Sequence, residues 1–338
     1  MTEYLLAPFI RRFLTEHVVM DRNLSRNTQK SYRDTIRLFL QFMAEHASTI
    51  PTQVTVVQVT PAVVRSFLAH LENGRGNAVS TRNQRLAAIR ALFGFIAYQV
   101  PELVDCAAQI QLTPFRKCPP PALDYLEKNE MDALLAVPDP SRPQGLRDYA
   151  MLRFLYSTGA RATEAASITI EALQLDDSLP SVRFLGKGAK TRLCPLDSET
   201  VNILRCLLGS RLDRSADARV FLNVRHQPVT RFGIYALVER TVAKASEAVP
   251  SLLKKTISPH TIRHTTAVHL LRAGNDINTI RAWLGHVSVD TTNRYAEVDL
   301  ETKAEALKTC ALSVTKSEKG AKAMWHEDDD LMTFLTSL

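Results

Sequence analysis

The stretch TPFRKCPPPALDYL, from Thr113 to Leu126, restricts this chain more than any other. Each of its four prolines removes a backbone donor and drives the preceding residue out of the helical region. Neither a helix nor a central strand runs through such a segment. A linker fits it, and it divides the 338 residues into two parts, each long enough for its own core. The expected organisation is a helical domain over 1–105, a proline-rich linker over 106–122, a mixed domain over 123–310 and a tail over 311–338.

The part before the linker reads as helices. In LSRNTQKSYRDTIRLFLQFM, Tyr32, Ile36, Phe39, Leu40 and Met43 recur at helical spacing, with Ser25 or Thr28 as a cap. Thr60 and Pro61 form an N-cap followed by proline at the first helical position, and Val64, Phe67, Leu68 and Leu71 continue that face. After the break at Asn73–Gly76, Leu86, Ile89, Phe93 and Ile96 mark another buried stripe. The faces opposite these stripes are basic. One carries Arg22, Arg26, Lys30, Arg33 and Arg37, and the other Arg82, Arg85 and Arg90. With a formal net charge of +7, two such faces in one domain point to phosphate contact.

The part after the linker alternates helical and strand patterns. GLRDYAMLRFLYSTGARATEAASI is helical with a break at Ser157–Gly159, and SVRFLGKGAKTRLCPL predicts strands at 182–185 and 192–196 around a glycine-rich turn. Ser258 and Pro259 open a helix that stops at Gly274, and NDINTIRAWLGH makes a shorter one stopped by Gly285, with Trp283 in a packing role. The fold class is therefore mainly α with a small β component. In the tail, Leu331, Phe334, Leu335 and Leu338 fall at helical spacing after an acidic run.

Several function classes are excluded. The five cysteines are widely spread with no C-x-x-C pair, which fits a reducing interior rather than a disulfide framework or a zinc site. The first residues lack a signal-peptide pattern, and no apolar run reaches the ~18 to 20 residues of a membrane span. A cytoplasmic protein is expected. GKGAK lacks the Walker A spacing, so no nucleotide cofactor is implied.

Chemistry-bearing residues remain. His260 and Arg263 stand three apart on a helix and share a face, where an imidazole and a guanidinium can meet one phosphate. His260 and His264 have the spacing of a helical metal pair, but the glutamate of H-E-x-x-H is missing and no third ligand is evident. His264 and His269 read as ordinary satisfied histidines of the core or the surface. Lys187 and Lys190 sit in the hairpin turn, either solvated or aimed at an anion. Arg161 follows a glycine with Glu164 one turn on, a pairing that also suits a snorkelling side chain. His286 and Tyr295 are nine positions apart, and a tyrosine hydroxyl, with its pKa near ~10, is a poor nucleophile without cationic support.

Taken in order, T-G-x-R-x-x-E, a hairpin G-K-G, H-x-x-R, L-G-H and a tyrosine nine residues later, the series resembles the tyrosine recombinase (phage integrase) family, in its Xer-like or transposon-borne form. The resemblance covers nearly the whole chain. It implies an all-α N-terminal, SAM-like core-binding domain that binds DNA, and a mixed α/β tyrosine recombinase catalytic domain. Carried over residue by residue, it makes Arg161 and Arg263 the holders of the scissile phosphate and Lys187 the general acid for the departing 5′-oxygen. His260 assists proton transfer, His286 bonds the phosphate and Tyr295 is the nucleophile. Glu164 orients Arg161, while Arg26, Lys30, Arg33, Arg82, Arg85, Arg90 and Lys190 contact DNA. The implied partners are double-stranded DNA carrying a specific recombination site and further copies of the chain, as a tetramer on DNA, with the tail docked on a neighbour. No metal, nucleotide or other cofactor is implied, and no membrane. Two rival readings share part of this pattern, a type IB topoisomerase-like nicking-closing enzyme and an inactive DNA-binding accessory factor. The lack of a carboxylate cluster disfavours a third, a metal-dependent nuclease.

Overall fold

Caps and breaks set the helices. Ser25 Oγ accepts the Thr28 amide at 3.3 Å and Thr60 Oγ1 accepts the Val63 amide at 3.3 Å, so the orphan donors of two helix starts are met by side chains. The structure, a computed structural model, describes residues 4–47, 50–119, 123–185, 191–209, 211, 213 and 215–285. The chain divides into two compact units, Met1–Pro121 and Ala122–Leu338.

In the first unit the helices are α1 (Leu6–Arg12), α2 (Arg26–Ala47), α3 (Pro61–Ala69), α4 (Val79–Gln99) and α5 (Val104–Gln111), with a π-helical turn over Phe13–Asp21 after α1. The predicted stripes meet in its core. Ile36, Phe39 and Met43 of α2, Phe67 of α3, and Leu86, Phe93 and Ile96 of α4 are all buried. Phe39 meets Phe67 edge-on at 5.2 Å between centroids, a favoured aromatic arrangement.

This unit extends beyond the boundary expected at 105. Most of helix α5 lies within the expected linker, and its Ala107 and Ile110 are buried in the same core. The chain beyond it is held to α4 by polar side chains. Arg82 Nη1 donates to the Pro114 carbonyl at 3.2 Å, and Asn83 Nδ2 donates to the Arg116 carbonyl at 2.8 Å. Arg90 donates to the Gln111 and Thr113 carbonyls and lies 4.4 Å over the Phe115 ring. Proline removes its own donor but leaves its carbonyl, and Arg82 takes up the Pro114 carbonyl while Arg90 takes those of Gln111 and Thr113.

The second unit contains α6 (Lys128–Ala136), α7 (Pro143–Thr158), α8 (Ala162–Ser167), α9 (Ser198–Gly209), α10 (Arg231–Ala248), α11 (Pro259–Arg272) and α12 (Ile277–Leu284). Its one sheet among the described residues is antiparallel, in the order β1 (Leu173–Gln174), β2 (Ser181–Leu185), β3 (Thr191–Pro195). Phe184 pairs with Arg192 and Val182 with Cys194, so these four side chains share one face of the hairpin. Helix α7 runs through the core, where Phe154 packs on Phe184 and Phe221. The architecture is mainly helical with a small sheet, and the predicted strands agree with the observed ones to within a residue.

Candidate active site

Helix α7 ends where the sequence breaks. Gly159 caps it in the left-handed conformation, with φ at +59°, and a Cβ there would lie 2.5 Å from Leu284 Cδ2. Both the backbone twist and the close approach require glycine. Two residues on, Arg161 is the N-cap of α8. Glu164 reaches back to it. One carboxylate oxygen accepts the Arg161 amide at 2.9 Å, and the other accepts Arg161 Nη1 at 2.7 Å. The pairing expected from the sequence thus exists, and the Arg161 side chain stays 43% exposed.

Helix α11 begins at the predicted Ser258 cap, whose hydroxyl accepts the amides of His260 and Thr261. Pro259 occupies the first helical position, and His260 follows it, exposed. Arg263, one turn on, is buried to 1% exposure. Its Nη1 donates to the Gly159 carbonyl at 2.5 Å and its Nη2 to the Leu284 carbonyl at 2.6 Å. The two residues expected to meet one ligand therefore serve different neighbours. His260 faces outward, and Arg263 ties the end of α7 to the end of α12, where helix carbonyls lack intrahelical donors. The His260 and His264 rings meet edge to face at 4.3 Å. Among the described residues, no group of three metal-ligating side chains gathers.

Arg161 and His260 come together at one pocket of about 510 Å³, lined also by Ala162, Thr163 and Pro259 and, from α10, by Arg231, Phe232 and Tyr235. The α10 wall was not legible in sequence. Its signals are the Thr230 cap and two aromatic side chains left exposed, Phe232 at 67% and Tyr235 at 47%. A cation and an imidazole beside exposed rings suit an anionic ligand with flat, stackable parts.

Below the pocket lies a residue that motif reading passed over. Arg192 of β3 gives Nη1 and Nη2 to the two oxygens of Glu164, at 3.0 and 2.9 Å, while its Nε donates to the Trp283 carbonyl at 3.1 Å. Its guanidinium lies 4.3 Å over the Phe184 ring, its cross-strand partner. Gly285, the stop of α12, has φ at +66°, and a Cβ there would come within 2.9 Å of Arg192 Cδ. The glycine of L-G-H is needed because an arginine passes beneath it. Burial pushes the Glu164 carboxyl up, but the bonds from Arg192 and Arg161 outweigh that and hold it at about 2. Cys194, on the same face, is pushed up to about 12 by burial and stays a thiol. Trp283 packs as expected and donates Nε1 to the Ser157 carbonyl at 3.3 Å. His269 is also packed, with Nδ1 2.7 Å from the Tyr156 hydroxyl.

Lys187, Lys190, His286, Tyr295 and the tail lie outside the described residues. In the first unit, Arg26, Lys30 and Arg33 of α2 are exposed. The expectation of an exposed basic face on α4 is corrected. Arg82 is 6% exposed, and Arg85 and Arg90 are half-buried, with their guanidinium groups on protein acceptors. Arg85 Nη1 donates to Thr35 Oγ1 at 3.0 Å, joining α4 to α2.

Residues 124–302 match the Phage integrase family, and residues 10–99 match the Phage integrase, N-terminal SAM-like domain. The chain is 34% identical over 337 residues to a Sinorhizobium fredii protein named as an integrase/recombinase, covering 98% of each. It is 32% identical over 295 residues to tyrosine recombinase XerC of Pelobacter propionicus, covering 86% of this chain and 90% of that one. The solved Tn1549 transposon integrase, in complex with a circular intermediate DNA, superposes with a TM-score of 0.68 at 17% identity, over 91% of this chain and 100% of that one. That last likeness is one of fold.

Proposed function

The chain belongs to the phage integrase family of tyrosine recombinases, and on that premise we infer that Tyr295 is the nucleophile with which it cleaves and rejoins DNA at a specific recombination site. The Tyr295 oxygen forms a bond to the scissile phosphorus as the bond to the 5′-oxygen breaks. Lys187 gives that oxygen its proton, and His260 assists removal of the tyrosine proton. The product is a 3′-phosphotyrosine and a free 5′-hydroxyl. A 5′-hydroxyl from a second duplex then reverses the step, so the ester carries the bond energy and no ATP is needed. Arg161, Arg263 and His286 stabilise charge on the phosphate, the electrostatic work that dominates such reactions, with Arg263 acting from the position where its Nη1 and Nη2 also hold the Gly159 and Leu284 carbonyls. These cations need no metal ion beside them, and they lower the cost of the tyrosinate.

The observation that carries this reading is the pocket shared by Arg161 and His260, two residues from helices far apart in sequence. The exposed Arg26, Lys30 and Arg33 of the first unit are the proposed phosphate contacts on double-stranded DNA, together with Lys190 of the predicted hairpin turn. Strand exchange calls for two duplexes and a tetramer, with the tail reaching a neighbouring copy. Among the described residues no helix is long and apolar enough to cross a membrane. We place the protein in the cytoplasm, on the nucleoid when bound to DNA.

The test uses a nicked duplex from the DNA flanking the protein's own gene, incubated in EDTA. A denaturation-resistant protein–DNA adduct is expected. It is lost in Tyr295→Phe and retained in Tyr235→Phe, which removes the tyrosine hydroxyl that lines the pocket. An adduct that survives Tyr295→Phe, or that forms only with magnesium, overturns the reading.

A further inference from the structure

We propose that Arg192 is a positioning residue for strand cleavage, a single guanidinium that sets Arg161 and the end of α12 in one register. The inference rests on the reading of Tyr295 as nucleophile, and it assigns a role to a side chain outside the sequence motif.

Three elements that carry the proposed chemistry meet at this residue. Arg192 stands on β3, the strand that returns from the turn bearing Lys187. It grips both oxygens of Glu164, and Glu164 in turn holds the backbone and side chain of Arg161. Its remaining nitrogen takes the Trp283 carbonyl, near the C-terminus of α12, and the chain then turns at Gly285 and runs on to His286. Arg263 takes the next carbonyl, that of Leu284. Two guanidinium groups from different elements therefore meet the negative end of one short helix, where cations are favoured and carbonyls need donors.

The chemistry suits arginine alone. A planar fork fixes the direction of Glu164 as well as its charge, and stacking on the Phe184 ring at 4.3 Å fixes the plane of the fork. Lysine supplies one point charge and no fork. A buried ion pair contributes little stability relative to apolar packing of the same volume, so what this one provides is direction. Glu164 is fully ionised at neutral pH, its carboxyl held at about 2, so the fork always has its anion. Because Arg192 makes these contacts away from the pocket lining, its loss acts through Arg161 and α12 and leaves the DNA-facing surface intact.

The experiment compares the full-length wild type with R192Q, R192K, E164Q and the R192Q/E164Q double variant. Three quantities are read: single-turnover adduct formation on the nicked duplex, equilibrium affinity for the same duplex, and thermal melting. R192Q is expected to slow adduct formation by about a hundredfold, the scale of a small misplacement of reacting groups, with DNA affinity unchanged. R192K, which keeps the charge without the fork, is expected to fall between wild type and R192Q. The double variant is expected to be no slower than R192Q, because both changes break one linkage. A wild-type rate in R192Q, additive losses in the double variant, or affinity falling in step with rate each overturns the proposal. If R192Q melts out, R192K decides alone: slow cleavage with intact binding supports the role, and a wild-type rate refutes it. If the wild type forms no adduct, the reading of Tyr295 fails and the role of Arg192 goes with it.

Discussion

The arginines of α4 and those around Gly159 do similar chemistry to opposite ends. In the first unit, Arg82 and Arg90 direct their guanidinium groups at neutral backbone carbonyls, and the result is a stretch of chain fastened to a helix. In the second, Arg161 and Arg192 converge on one carboxylate, and the result is a cation held exposed at the edge of a pocket. A carbonyl can consume a guanidinium where it lies. A carboxylate on the far side can aim one outward. The difference teaches that basic residues in a DNA-binding chain divide into fasteners and contacts, and that their partners, not their number, decide which is which.

The largest expected effect tests that division directly. Arg161→Ala is expected to lower the adduct rate by about 10³-fold, the scale of removing one charge-stabilising donor, while melting changes little because the side chain is exposed. Arg82→Ala is expected to do the reverse. It lowers the stability of the first unit by about 1–3 kcal/mol, since a buried side chain and its charged bond to the Pro114 carbonyl are lost, and leaves the cleavage rate of folded protein unchanged. Single-turnover rates and melting curves on both variants provide the check. Equal loss of rate in the two would erase the distinction between fastener and contact.

Much of this was legible beforehand, and the illegible part has one physical cause. Helix starts at Ser258 and Thr60, stops at Gly159 and Gly285, and the hairpin at 181–195 follow from local chemistry, because caps and turns act within a few residues. The spacing of Arg161 and Glu164 disclosed their contact for the same reason. Arg192, the α10 wall and the inward turn of Arg82 and Arg90 were not legible. In each case the partner lies far off in sequence: Glu164 and Trp283 for Arg192, the 111–114 carbonyls for the α4 arginines. A basic residue beside a proline-rich stretch looks solvated until the stretch folds back onto it.

A smaller effect concerns acid. The Glu164 carboxyl titrates at about 2 in the folded protein, against an ordinary value of 4.5. Because the folded value is depressed, the stability it contributes is fully present above pH 4.5 and is lost as pH falls toward 2. Wild type and E164Q are therefore expected to differ most in melting temperature above pH 4.5, and their curves to close on each other below it. Glu130 and Glu127 are also held low, with burial opposed by bonds from Lys255 and Arg272, but they are common to both proteins and cancel in the difference. A gap constant across that range would mean that Glu164 is not held by its arginines as the geometry requires.

The smallest effect separates contact from fastener within the first unit alone. Each cation that neutralises a DNA phosphate releases counterions, so affinity falls with salt by a slope of about 0.9 per contact. Arg26→Ala, Lys30→Ala and Arg33→Ala are each expected to reduce that slope by about 1 and to leave melting unchanged, because these side chains are exposed. Arg33 bonds Asp34 at 2.8 Å, but an exposed pair of that kind is weak and yields to a phosphate. Arg85→Ala is the counterpart: its guanidinium joins the Ser31 carbonyl and Thr35 Oγ1, so it is expected to lower melting and leave the slope as it was. Affinity measured across a salt series on the four variants distinguishes the two outcomes. A slope lowered by Arg85→Ala and untouched by Arg26→Ala would put the DNA face of this unit on α4 after all.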